Sequence, residues 1–198
     1  MVDTLGNIDL ADGKFEALLF DCDGTLADTA ELHHYAIAAA TKSFGHDMPK
    51  EWYLDRVGLS LDQLLLEFKK LCGVQLYRKD LSPFEEDIFC RNTSMIQEIT
   101  AVASIVRHNA GKIPMAVVSS STRRMVIATL EALRLTPYFS AVVTVEDVEN
   151  PKPAPDGFLK AARCLGIDPA RCLVFEDSQH GLDAARTAKM TAQDVRLL

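Results

Sequence analysis

Apolar and polar positions follow two different rhythms along this chain of 198 residues. Ala17-Leu18-Leu19-Phe20 is an unbroken apolar run that stops at Asp21-Cys22-Asp23-Gly24-Thr25. Such a run predicts a strand, Phe15 to Phe20, buried on both faces of a parallel sheet. From Thr29 to about Gln97 the spacing becomes helical. Glu31 to Phe44 reads as one helix stopped by Gly45. Leu61, Leu64, Leu65, Phe68 and Leu71 recur on one face of a second helix ended by Gly73. Ser82-Pro83 is expected to open another, with Ser82 as cap, Pro83 at the first position and Glu85 and Glu86 in the first turn. No strand is evident in this stretch, which predicts a small all-helical insert.

After it, strands and helices alternate. The pattern predicts a helix over Ile99–His108, a strand over Met115–Val118, a helix over Arg123–Leu135 and a strand over Ala141–Val145. A proline-rich loop, Asn150 to Pro155, then opens the helix Asp156–Leu165. The strand Cys172–Phe175, the helix Leu182–Ala188 and a last strand near Ala192–Leu197 complete the series. Alternation of this kind argues for an α/β fold with a parallel sheet. Residues 1 to 14 are polar and glycine-containing and are expected to lie loosely on the surface.

Composition narrows the function classes. The apolar fraction is 48% and the charged fraction 25%, ordinary values for a globular protein. A net charge of −7 argues against a nucleic-acid footprint, which needs a basic stripe. It does not exclude a phosphorylated substrate, because a metal ion and a lysine can neutralise one locally. Cys22, Cys72, Cys90, Cys164 and Cys172 form no C-x-x-C pair and read as buried free thiols of a reducing compartment. Without a basic, apolar leader at Met1-Val2-Asp3-Thr4 or a membrane span, a cytoplasmic protein is expected. The partner expected is a small molecule, with neither nucleic acid nor membrane, for a monomer or weak dimer.

The candidate chemistry lies where the apolar runs end. Asp21 and Asp23 leave the first strand two residues apart and so on one side, at the edge where open α/β sheets bind ligands. Two carboxylates this close repel, so either one holds a proton or a cation sits between them. An all-oxygen site suits Mg²⁺. Gly24 allows a sharp turn, and Thr25 adds a hydroxyl. The same fragment also reads as an exposed Asp-x-Asp-Gly turn. Met115–Val118 runs into Ser119-Ser120-Ser121-Thr122, an anion site at a helix start or simply its cap. Lys152, held between Pro151 and Pro153, is either aimed inward by a stiff loop or an ordinary surface lysine. Leu173-Val174-Phe175 ends in Glu176-Asp177-Ser178, either metal ligands or solvated acids. What favours the functional readings is their joint order, each at the end of an apolar strand.

Asp21-x-Asp23-Gly24-Thr25, Ser119, Lys152 and Glu176-Asp177 together resemble the four motifs of the haloacid dehalogenase superfamily. Asp21-x-Asp23-Gly24-Thr25-Leu26-x-Asp28-Thr29, Lys152-Pro153-Ala154-Pro155-Asp156 and Glu176-Asp177-Ser178-x-x-Gly181 are similar to the subgroup containing β-phosphoglucomutase and small sugar phosphatases. The closing Asp194-Val195-Arg196-Leu197-Leu198 is similar to bacterial fructose-1-phosphate phosphatase-like proteins. The resemblance implies a Rossmann-like parallel sheet core, 1–28 and 98–198, with an inserted α-helical cap domain, 29–97. It implies a Mg²⁺-dependent phosphatase acting on a small phosphate monoester, a sugar phosphate, through an aspartyl-phosphate. In this scheme Asp21 is the nucleophile and Asp23 the acid and base. Ser119, Ser120 and Lys152 bind phosphate. Asp21, Asp23 (through its backbone carbonyl), Glu176 and Asp177 hold the metal. His33, Gly58, Ser60 and Arg91 are the candidate cap residues for substrate, although His33 reads equally as a helix histidine covering the hinge and Arg91 more readily as a solvated arginine on a helix face. Two alternatives stay open: a phosphosugar mutase, and a binding protein without catalysis on the same fold. The mutases carry an arginine directly after the cap-loop serine, whereas this chain has Leu61. A dehalogenase proper typically lacks the second aspartate of the first motif, so Asp23 favours phosphate chemistry.

Overall fold

The computed structural model describes residues 14–57 and 59–198. The loose N-terminal segment expected over residues 1 to 14 therefore falls, Lys14 apart, outside the described residues, as does Gly58. The chain forms two compact units, one made of the segments up to Asp28 and from Gln97 to Leu198, the other of Thr29–Ile96.

The first unit is built on a parallel sheet. Its strands are β1 (Ala17–Phe20), β4 (Met115–Val118), β5 (Ala141–Val143), β6 (Cys172–Glu176) and β7 (Thr191–Asp194), in the order β5-β4-β1-β6-β7. β1, at the centre, is apolar throughout because it is covered on both faces. Leu18 and Phe20 face a layer formed by α5 (Thr100–Asn109) and α6 (Arg123–Ala132), where they meet Val102, Val106, Val126 and Leu130. Ala17 and Leu19 face α7 (Asp156–Leu165) and α8 (Gln179–Thr187), against Phe158, Ala161, Ala162 and Ala184. Successive side chains of a strand point to opposite faces, so a continuous apolar run serves two cores at once. The Phe20 and Phe175 rings stack at 4.7 Å between centroids.

Most elements lie where the apolar pattern puts them, and the differences have local causes. α6 stops at Ala132, three residues before the expected Leu135, and Arg134 follows in the left-handed region at φ 56°. α8 starts at Gln179, three residues before the expected Leu182, because the Ser178 hydroxyl accepts from the Gly181 N–H and caps it there. A short antiparallel pair, β2 (Ala27–Asp28) with β3 (Gln97–Glu98), brackets the helical segment; two-residue strands leave no pattern in a sequence.

The second unit contains α1 (Ala30–Ser43), α2 (Lys50–Leu54), α3 (Leu61–Cys72) and α4 (Arg78–Arg91). Ile37, Ala40, Leu64, Leu65, Phe68 and Leu81 form its core. α3 carries its start and stop in its own sequence: Ser60 and Gln63 form a reciprocal capping box, and Gly73 closes the helix at φ 76°. α4 corrects the expected start at Ser82. It begins earlier, at Arg78, and Pro83 lies inside it. Proline deletes the backbone bond to Lys79, but Leu81 is fully buried and anchors the turn before it. Tertiary burial here outweighs the local stop signal.

The cysteines also need correcting. None is in a disulfide bond, but only Cys22 and Cys172 are buried; Cys72 and Cys90 are half-buried and Cys164, on α7, is exposed. Among the described residues no helix is long and apolar enough to cross a membrane.

Candidate active site

Parallel register assembles the site. Phe20 pairs with Val117 on one side and Phe175 on the other, so Asp21 stands level with Val118 and Glu176, with Ser119 one residue on. Level neighbours on adjacent strands project to the same face, which sets the carboxylates of Asp21 and Glu176 side by side. Lys152 enters from the loop between β5 and α7. Its Nζ lies 2.5 Å from Asp21 Oδ1 and 2.7 Å from Glu176 Oε2, and donates to the Val118 carbonyl at 3.0 Å. The three ammonium hydrogens thus have three acceptors in a buried setting. Burial alone would lower the Lys152 pKa, but Asp21 and Glu176 together raise it, so the group stays charged.

One lysine does not neutralise the acids around it. Asp21, Glu176 and Asp177 each place a carboxylate oxygen within 4.8 Å of the others. Burial, then Glu176, holds the Asp21 carboxyl well above the usual carboxylate range, with Lys152 opposing. Burial and Glu176 push Asp177 up to about 6. Asp177 is steadied by the Thr25 hydroxyl, which donates to its Oδ1 at 3.0 Å. Glu176 Oε1 accepts from the backbone N–H and hydroxyl of Ser178 at 3.0 and 2.8 Å. A compact set of hard oxygen donors with surplus negative charge fits a divalent ion such as Mg²⁺. The Asp23 carboxylate is not part of this set.

Asp23 turns toward β4 instead. Its Oδ2 accepts from Ser121 Oγ at 2.7 Å and from Ser119 Oγ at 3.3 Å. Ser119 is buried and Ser120 exposed. The structure therefore brings together Asp21, Asp23, Ser119, Lys152, Glu176 and Asp177, with Ser120 at the rim of the same loop. Sequence reasoning did not single out Ser121. Its only signal is its place two residues after Ser119 in a run of hydroxyls.

The expected cap residues lie in the helical unit. The His33 ring on α1 lies tilted against Phe89, 4.7 Å between centroids, with Nδ1 3.9 Å from Glu85. Ser60 spends its hydroxyl on capping α3, accepting from Gln63 N at 3.3 Å. Arg91 pairs with Asp87 at 2.9 Å and is 75% exposed. Leu61 is partly buried against the core of its own unit.

Two glycines are required by close approach. Gly24 sits at φ 85°, and a Cβ there would come within 2.3 Å of Asp177 Oδ2. A Cβ at Gly181 would come within 2.0 Å of the Glu176 carboxyl. Because Glu176 is pinned by Lys152 and Ser178, it has little room to yield. Gly181→Ala is accordingly expected to cost about 1–3 kcal/mol, read from the urea midpoint. An unchanged midpoint would mean that Glu176 can swing aside.

The haloacid dehalogenase-like hydrolase model matches residues 18–195. The chain is 32% identical over 190 residues to the fructose-1-phosphate phosphatase YqaB of Escherichia coli, covering 93% of this chain and 98% of that one. It is 28% identical over 180 residues to a phosphorylated carbohydrates phosphatase of Thermotoga maritima, covering 87% and 81%. Among solved structures, CbbY from Rhodobacter sphaeroides in complex with phosphate superposes with a TM-score of 0.80 at 25% identity, covering 90% and 84%. With the motif residues gathered at the strand ends and nearly the whole length matched, the chain belongs to the haloacid dehalogenase-like hydrolases, an enzyme family in which its relatives include named phosphatases.

Proposed function

We propose that this enzyme hydrolyses small phosphate monoesters, sugar phosphates foremost, through a phosphoryl group carried on Asp21. The observation that carries the reading is the setting of Asp21: a buried carboxylate 2.5 Å from the Lys152 ammonium, beside Glu176 and Asp177, with Asp23 two residues on and held by Ser121. In the first step an Asp21 oxygen bonds to phosphorus while the ester P–O bond breaks, and Asp23 gives its proton to the departing alcohol oxygen. In the second, Asp23 takes a proton from water, the water oxygen bonds to phosphorus, and the bond to Asp21 breaks to release phosphate. Lys152 and Ser119 hold the transferring oxygens where negative charge builds. Asp21, Asp177 and the Asp23 backbone carbonyl would hold Mg²⁺, with Glu176 beside it and engaged by Lys152. When bound, the ion supplies positive charge to the phosphoryl oxygens. The region of residues 29–97 is the substrate-selecting cap in this reading.

The two phosphatase relatives support a sugar phosphate as the substrate class. Two features of the helical unit favour hydrolysis over mutase chemistry. Leu61 packs partly buried against the core of its own unit, and Arg91 is exposed and paired with Asp87. Leu61 offers no cation for a second phosphate, and the Arg91 guanidinium is turned to solvent and to Asp87. The test is phosphate release from a panel led by fructose 1-phosphate, in Mg²⁺ and in chelator. A second arm supplies β-glucose 1-phosphate with a trace of glucose 1,6-bisphosphate. Free phosphate should outpace glucose 6-phosphate; the reverse would establish a mutase.

The acidic cluster also predicts how the metal behaves. Asp177→Ala should raise the Mg²⁺ concentration needed for half-maximal activity by about tenfold or more, taking the range seen for support of metal sites. Since Asp177 titrates near 6 in the metal-free protein, protons compete with the ion below that pH. The Mg²⁺ requirement of the wild type should therefore climb as pH falls through 6, and the Asp177→Ala variant should show a flatter climb. An unchanged requirement in the variant would put the metal elsewhere.

A further inference from the structure

Ser119 is asked to do two things. In the function proposed above, its hydroxyl holds a phosphoryl oxygen, yet here it also donates to Asp23 Oδ2. The distances separate the two serines that reach this oxygen. Ser119 is at 3.3 Å, a long contact for O–H···O, whereas Ser121 is at 2.7 Å, the usual optimum. Ser121 is itself fixed at both ends of its peptide frame. Its backbone N–H donates to Ser119 Oγ at 3.0 Å, and its carbonyl accepts from Val145 N at 3.4 Å. The Ser121 hydroxyl is thus presented from a strand-to-helix turn that is tied to the neighbouring β5 side of the sheet.

We propose that Ser121 is the positioning residue for Asp23: its hydroxyl fixes the carboxyl group that exchanges the proton with the leaving alcohol. This rests on the phosphatase reading. Ser119 can then turn to a phosphoryl oxygen without releasing Asp23. A carboxyl oxygen accepts a hydrogen bond in the ionised acid and, when the proton sits on the other oxygen, in the neutral acid as well. Ser121 can therefore keep the same bond to Oδ2 through both halves of the cycle, and it biases the transferable proton toward Oδ1. Bond making at phosphorus needs none of this; only proton delivery to the leaving oxygen does.

That distinction supplies the test. Specificity constants report only the steps up to departure of the alcohol, so they isolate the proton donation from the later attack of water. An alkyl alcohol needs the proton to leave, whereas p-nitrophenolate leaves readily without it. With Mg²⁺ present, Ser121→Ala should lose about 10- to 100-fold in kcat/KM on an alkyl phosphate, the range that misplacing a reacting group produces. It should lose only a few-fold on p-nitrophenyl phosphate, which also reports that the variant is folded and holds metal. Ser121→Thr, which keeps the hydroxyl, should recover the alkyl phosphate activity to within a few-fold. An equal loss on both substrates, or no loss on either, would overturn the positioning role while leaving the phosphatase reading intact. No Mg²⁺-dependent phosphate release by the wild type from either substrate would overturn both.

Discussion

Replacing Asp21 by asparagine should lower turnover by on the order of 10⁴-fold or more, the scale seen when a covalent nucleophile is removed, while the protein folds as well as the wild type. Asparagine keeps the shape of the side chain but cannot carry a phosphoryl group. The stability half of the expectation follows from electrostatics. Asp21 is buried beside Glu176 and Asp177, and its pKa in the metal-free protein is raised. For a group raised in the folded state, the contribution to stability is fully present below the unfolded pKa and is lost as pH rises through the folded one. At neutral pH Asp21 therefore works against the metal-free fold. The neutral amide removes that cost, so metal-free Asp21→Asn should melt at or above the wild-type temperature at pH 7, and its stability should vary less with pH on the acid side. Magnesium should stabilise the wild type more than the variant. Steady-state turnover, thermal melts across pH with and without Mg²⁺, and mass mapping of a phosphorylated peptide in the wild type together check the assignment. Residual activity within about tenfold of the wild type in a clean preparation would move the nucleophile elsewhere.

The legible part of this chain is the part where one physical demand fixes several residues at once. β1, β4 and β6 are covered on both faces, so each must be apolar along its whole length, and the first polar residue after each run marks the strand's carboxyl end. Because the strands are parallel, those ends fall on one edge, and Asp21, Ser119 and Glu176 are expected to converge from the apolar runs alone. Lys152 was legible only in company, since nothing in Asn150 to Pro155 says which way its side chain turns. The structure adds that its ammonium group reaches Val118, Asp21 and Glu176 together. What stayed hidden depends on contacts between residues far apart in sequence. Ser121 looks like any hydroxyl near a helix start until Asp23 is seen 2.7 Å away. The start of α4 was misplaced because Pro83 is a local signal and the burial of Leu81 is not. The capping box that Ser60 forms with Gln63 at the start of α3 is likewise seen only in the structure. The geometry adds that Asp21, Glu176 and Asp177 gather their carboxylate oxygens within 4.8 Å of one another, while the Asp23 carboxyl group is engaged by Ser121 and Ser119.

Lys152→Met should strongly destabilise the sheet unit. It keeps the aliphatic stem that packs near Phe158, over whose ring the ammonium lies at 5.1 Å, and removes only the charge and its hydrogen bonds. The side chains of Lys152, Asp21 and Glu176 are 9%, 8% and 1% exposed, so solvent screens these pairs little. Breaking a buried pair from one side leaves the partner charge uncompensated and costs about 3–5 kcal/mol, against the roughly 0–1 kcal/mol typical of an exposed pair. Two acids lose their cation here, and the Val118 carbonyl loses a donor. Because the Lys152 pKa is raised by its partners, its contribution is fully present at neutral pH and would be lost only above the ordinary lysine range. The loss should therefore appear undiminished in urea unfolding at pH 7. Relief should come from either direction. Lys152→Met/Glu176→Gln should recover part of the stability by deleting one of the stranded charges, and Mg²⁺ should recover part by supplying a cation nearby. Activity should respond differently from stability. The double variant, though firmer than the single one, should remain at least about 10²-fold below the wild type, because the charge that meets the phosphoryl oxygens is still missing. A stability loss under about 1 kcal/mol for Lys152→Met would show that water reaches the cluster. Recovery of activity in the double variant would show that Lys152 serves the fold and not the phosphoryl group.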